Sequence, residues 1–260
     1  MQKLYFECYS GISGDMIVAS LIDLAVPSKK LVEALKTIPV KGFDIKISRV
    51  KKSGLDVCDF DVVLDTKHEN HDHDMKYLHH NSDYQHPHGK HRGIKEIYEI
   101  IDNTKISDKS KKIAKNIFDV LATSEAKVHG VKKEEVHFHE VGAIDSIVDI
   151  IAISFCIDYL KIDNIISSPL CEGKGFIRCQ HGLIPVPAPA TCNIVKDYNL
   201  PIHIIDVYGE LVTPTGAAAI AALKKEDNLP DKYKIIGIGM GNGKRKYETP
   251  GILRAMIIEE

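Results

Sequence analysis

The chain has no CxxC pair and no excess of basic residues. It also has no apolar run near the roughly 20 residues that a membrane-spanning helix needs. Its best candidate span, Ile144 to Leu160, is broken by Asp145, Asp149 and Asp158. Lys and Arg total 34 against 36 Asp and Glu, a net charge of -2, which argues against nucleic acid as a partner. The six cysteines (Cys8, Cys58, Cys156, Cys171, Cys179 and Cys192) make no dense disulfide framework, so a reduced, cytoplasmic setting is expected. The N-terminal MQKLYFECYSG reads as a strand containing Glu7 rather than a signal peptide, and no membrane association is expected. There is no internal repeat, no P-loop and no GxGxxG fingerprint.

What the chain does have is enough length for a real core: 260 residues, 44% apolar and 27% charged, as in ordinary globular proteins. Strands are expected at Leu4 to Cys8, at Asn164 to Ser168, at Pro201 to Val207 and in the closing segments Lys234 to Gly241 and Ile252 to Ile258. FDIKISRVK and LDVCDFDVVLD, joined by Lys52-Ser53-Gly54, read as a hairpin. Helical spacing predicts helices ending near Ala25, over Ser28 to Thr37, Gly93 to Asp102, Ser107 to Val128 and Ala143 to Leu160. A Thr213-Pro214 cap opens another to Leu223. Strands and helices mix without strict alternation, which predicts an α+β fold: a single unit over 1–260 that could subdivide near 130, with mixed sheets packed on helices.

Thr66 to Arg92 is a His-rich insertion holding eight of the thirteen histidines: His68, His71, His73, His79, His80, His86, His88 and His91. Neutral imidazole binds nickel, copper and zinc, and this segment has little apolar surface to bury. It is expected to be a flexible metal-collecting loop over 66–92; the plainer reading is a solvated polar loop.

A second cluster is HFHEVGAID. His137 and His139 share a face of an extended stretch, Glu140 stands at the turn, and Asp145 and Asp149 share a helical face. Two imidazoles and carboxylates suit a divalent ion, or a base beside one. The alternative is a carboxylate favoured by a helix N-terminus beside ordinary hydrogen-bonded histidines.

The strand-to-helix turn Ser10-Gly11-Ile12-Ser13-Gly14-Asp15 could wrap a phosphate with its amides or simply be a tight turn. Asp15 there would suit a bridging cation or a ligand hydroxyl. Lys174 and Arg178, among Cys171, Glu172, Cys179 and His181, could hold phosphate or carboxylate groups. Gly237, Gly239 and Gly241 leave one face of a strand bare, open to a ligand or another backbone. The Lys244-Arg245-Lys246 run that follows reads by default as solvated charge.

Four ordered strings, YFECYSGISGDM, HFHEVGAIDSIVDI, GFIRCQHGLIPVPAPAT and ELVTPTGAA, resemble the nickel-insertion proteins of the nickel-pincer cofactor pathway, which serve lactate racemase and related enzymes. That resemblance implies an Ni2+ insertase, a chelatase of the lyase class, acting on a pyridinium mononucleotide with two thiocarboxylates. It also implies CTP with a divalent cation, bound through a C-terminal domain not in this chain, so a partner polypeptide of the same family is expected. Forming a nickel–carbon bond removes a ring proton, for which Glu140 and His139 are the candidate bases, with Asp15 beside them. The Gly11 to Gly14 turn would take the phosphate. A nickel store or metallochaperone is the alternative, a phosphate- or nucleotide-processing enzyme the third reading. Whether the chain forms a homo-oligomer stays open.

Overall fold

The computed structural model describes residues 2–65, 92–138, 143–179, 182–226 and 228–260. The His-rich insertion, His139 and Glu140 lie outside them.

The fold is α+β, as expected. A six-stranded mixed sheet has the order β2-β3-β10-β11-β1-β6. β2 (Phe43–Lys52) and β3 (Leu55–Leu64) form the expected hairpin, turned by Ser53 and Gly54 with φ of 50° and 80°. β1 (Gln2–Glu7) runs antiparallel to β11 (Ile252–Glu259) and parallel to β6 (Ile165–Ser167). β10 (Lys234–Asn242) pairs antiparallel with β11 and parallel with β3.

α1 (Gly14–Leu24) lies on this sheet, and the bare glycine face of β10 is what lets it approach. A β-carbon at Gly239 would stand 2.1 Å from the Ser20 carbonyl oxygen, and one at Gly241 2.1 Å from that of Met16. The glycine stripe therefore admits another backbone, one of the two occupants its spacing allows.

α5 (Ile144–Leu160) is the central helix. Ile147, Ile151, Phe155 and Tyr159 form one apolar stripe at helical spacing, and Val148, Ile150 and Ile153 are buried too. It packs against α1, α2 (Ser28–Leu35), α4 (Asp108–His129) and α7 (Pro214–Leu223), so an all-round apolar surface is what its place demands. Each fully buried isoleucine contributes about 2 kcal/mol. One cluster of buried residues draws on both sides of residue 130.

Caps follow sequence. The Ser107 hydroxyl accepts from the Ser110 N–H, and Thr213 accepts from Gly216, with Pro214 in the first helical turn. β4 (Arg92–Gly93) leads into α3 (Ile94–Asn103) and then α4, and it pairs antiparallel with β5 (His137–Phe138), which follows α4.

The Gly- and Pro-rich segment holds more structure than its composition implies. β7 (Leu170–Cys179) pairs with β8 (Gly182–Val186) and with β9 (Ile202–Tyr208). The extended approach through Pro185 ends in a helix, α6 (Pro189–Asp197), opened by its own proline. Among the described residues, no helix is long and apolar enough to cross a membrane.

Candidate functional site

α1, α5 and α7 all begin at one cavity of about 290 Å³. Its wall includes Ser13, Gly14 and Asp15 from the start of α1, Asp145, Ser146 and Asp149 from α5, and Thr213, Pro214 and Thr215 from α7. Unpaired N–H groups give each helix start a partial positive charge, so hydroxyls and carboxylates collect there. Met16, Val62, Ile177, Ile184 and Leu211 supply an apolar lining against which a flat ring could lie.

The carboxylates differ in their partners. Asp15 accepts from the Ser13 hydroxyl and, at 2.9 Å, from the Met16 N–H. Asp149 Oδ1 has no hydrogen-bond partner among the described residues and no exposed surface. Burial, then the neighbouring charges of Asp15 and Asp145, holds the Asp149 carboxyl well above the usual carboxylate range. Gly14 makes room for it: a β-carbon there would stand 2.6 Å from Asp149 Oδ2.

Cations close the other side. Lys244 pairs with Asp61, and Arg245 reaches buried Glu210 at 2.9 Å. Lys52 donates to the carbonyls of Gly243 and Arg245 and so holds this segment in place. Lys244 and Arg245 are thus paired members of a cavity wall, although Lys244 and Lys246 are also exposed, as the charge run predicts. Arg178, exposed on β7, reaches the same cavity.

Of the candidates read from sequence, Ser10, Ser13, Gly14, Asp15, Asp145 and Arg178 come together here. Gly11 stands behind the wall. Its φ is +86°, a β-carbon would meet the Leu211 carbonyl at 2.1 Å, and its N–H is taken by Cys8. The Ile12 N–H is likewise given to Leu211 at 2.9 Å, so this part of the turn spends its amides inside the protein. Lys174 does not line the cavity; it pairs with Asp206 at 2.5 Å and lies over the Tyr208 ring. His137 is exposed on β5, also away from the cavity lining. His139 and Glu140, and the histidines His68, His71, His73, His79, His80, His86, His88 and His91, fall outside the described residues. Among the described residues, no three His, Cys, Asp or Glu side chains are grouped so that they could hold a metal ion.

Glu210 and Tyr247 line the cavity without a local sequence signal. Glu210 is 35 residues from Arg245, and only the folded chain joins them.

The family model described as "Nickel insertion protein" matches residues 4–260. A pyridinium-3,5-bisthiocarboxylic acid mononucleotide nickel insertion protein of Alkaliphilus metalliredigens is 52% identical over 99% of this chain and 61% of its own length. One of the same name from Clostridium acetobutylicum is 45% identical over 100% of this chain and 64% of its own. A putative nickel insertion protein of Dictyoglomus thermophilum is 38% identical over 100% and 61%. The chain thus spans less than two thirds of the length of these curated relatives. No solved structure matches it. With a family model matched along nearly its whole length and relatives this similar, the chain belongs to the nickel insertion protein family.

Proposed function

We propose that this chain is the part of a nickel insertase that holds the organic substrate, a pyridinium mononucleotide bearing two thiocarboxylates, in the cavity where α1, α5 and α7 begin. The observation that carries this reading is the cavity's composition: hydroxyls and helix starts, an acidic wall, a cationic rim and an apolar lining, in one space. A mononucleotide needs each of them: donors and cations for its phosphate, hydroxyl acceptors for its ribose, and apolar contact for its ring.

The phosphate is assigned to Arg178 and the Ser10–Ser13 turn, and Asp15 to the ribose hydroxyls or to an incoming cation. Nickel is substrate here. The histidines at 68–91 gather it, and it ends bound to the two sulfurs and a ring carbon. The ring C–H bond breaks as nickel–carbon forms, its electron pair going to the metal and its proton to a base. Glu140 and His139 shortly precede α5 in sequence and are assigned that role, with Asp145, in the cavity wall, as a neighbouring metal donor. The reaction makes the protein a chelatase of the lyase class. CTP with a divalent cation is assigned to the remainder of the longer family proteins, which this chain needs as partner.

The test is an insertion assay on the nickel-free mononucleotide, supplied with the remainder of a longer relative. Arg178→Ala is expected to raise KM for the mononucleotide about tenfold, the loss of one charged contact. Unchanged KM would move the phosphate elsewhere. Deleting Lys67 to His91 is expected to leave insertion intact at saturating nickel and to abolish it when nickel is scarce. Loss at every nickel concentration would contradict the collecting role.

A further inference from the structure

Glu172, on β7, is wholly buried. Its Oε1 accepts three backbone N–H groups: Gly173 at 2.8 Å, Leu211 at 2.6 Å and Val212 at 3.1 Å. Its Oε2 has no partner among the described residues. Burying a carboxylate this deeply costs several kcal/mol in general, and three donors on one oxygen recover part of that. A hydrophobic residue would avoid that cost but leave the three N–H groups without an acceptor, so what the carboxylate supplies here is that acceptor.

Its role is visible in what it holds. Residues 209–212 run past β7 so closely that a β-carbon at Gly173 would stand 2.0 Å from the Gly209 carbonyl oxygen. The Gly209 N–H is given to Lys174 at 3.0 Å. Beyond that crossing, Leu211 accepts from Ile12 at 2.9 Å, and Thr213 donates to Ile12 at 3.1 Å. Glu172 thus grips one side of a segment whose other side grips the Ser10–Ser13 turn. Glu210, Leu211 and Thr213 in that segment, and Ser10 and Ser13 in the turn, all line the cavity.

We propose that Glu172 is a positioning residue for the cavity, fixing the 209–212 segment and, through the Ile12–Leu211 and Thr213–Ile12 bonds, the turn that faces the ligand. It touches no ligand itself. The proposal rests on the reading of the cavity as the working site, but its test does not need the reaction.

Amide hydrogen exchange is measured by NMR on the ligand-free chain for wild type, Glu172→Met and Glu172→Gln. Met keeps the volume and removes the acceptor; Gln keeps an acceptor oxygen. In Glu172→Met, protection is expected to fall roughly tenfold or more at Leu211 and Val212, and also at Ile12 and Thr213, which do not touch Glu172. Glu172→Gln is expected to restore all four to within about threefold of wild type, since its carbonyl takes the same three donors. If Glu172→Met does not fold, Glu172→Asp, one methylene short of the donors, must show the same fourfold set of losses. Unchanged protection at Ile12 and Thr213 overturns the proposal, because the effect then stops at the contact. So does failure of Gln to restore it. Since no substrate is present, an absence of nickel insertion would count against the proposed function and leave this result standing.

Discussion

Two acids, Glu172 wholly buried and Asp149 half-buried, stand close to the same cavity, and they are built differently. Glu172 sits behind the wall with one oxygen saturated by three backbone donors. Asp149 sits in the wall, with one oxygen unpartnered and the other pressed on Gly14. Burial raises both carboxyls, Asp149 well above the usual range and Glu172 to about 6. The first arrangement uses a carboxylate as a structural tie. The second keeps an acid at the surface of a ligand-sized space with hydrogen-bonding capacity to spare.

With the mononucleotide in this cavity, Asp149 is a wall contact for its ring, and Asp149→Asn is expected to lower nickel insertion about 100-fold. The same variant is expected to be more stable at pH 7. A raised folded-state value means that the stabilising contribution is complete below the unfolded value and lost as pH rises, and Asn, which has no proton to lose, escapes that loss. A variant that unfolds more readily at pH 7 would make Asp149 a tie like Glu172.

Gly14→Ala comes next. Its β-carbon would stand 2.6 Å from Asp149 Oδ2 and 2.9 Å from Asp149 Cβ, so the whole Asp149 side chain must shift, while alanine suits a helix start. Insertion is expected to fall roughly tenfold with a melting temperature within a few degrees of wild type. Unchanged turnover would separate Asp149's position from its role.

Glu172→Gln sharpens the other side. The Glu172 carboxyl is raised from 4.5 to about 6 because burial outweighs the Leu211, Gly173 and Val212 donors. Its contribution to stability is therefore full below pH 4.5 and lost as pH rises through 6. Chemical denaturation should show the variant equal to wild type near pH 4, shifted by whatever the amide itself costs. It should gain on wild type by up to about 2 kcal/mol by pH 7. A difference that does not change with pH would mean Glu172 does not titrate in this range.

The smallest effect is expected two residues along. Lys174→Ala should leave insertion within about twofold of wild type, since its partners are Asp206 and the Tyr208 ring and screened surface pairs count for little. A large loss would put β7's outer face into the site.

Much of this was legible in the sequence where short-range pattern carries it. The turn at Ser10 to Asp15, the four-residue spacing of Asp145 and Asp149, and the Thr213-Pro214 cap each name a helix start, and those three starts meet at the cavity. That they meet was not legible, because α1, α5 and α7 come together only through packing. The same limit hid Lys244 and Arg245: a run of basic residues has the pattern of a solvated surface, and its partners Asp61 and Glu210 are far along the chain. β8 and α6 were obscured by Gly and Pro, which mark turns on average but here start a helix and edge a small sheet. The bare face of β10 was visible, but not which neighbour would fill it.

The most direct measurement is a crystal structure of the chain soaked with the nickel-free pyridinium bisthiocarboxylate mononucleotide. The account predicts the nucleotide in the cavity, its phosphate toward Arg178 and the Ser10–Ser13 turn and its ring within reach of Asp149. Ordered density for it only elsewhere, on the face that carries His137 or along the outside of β7, would contradict the assignment of this cavity.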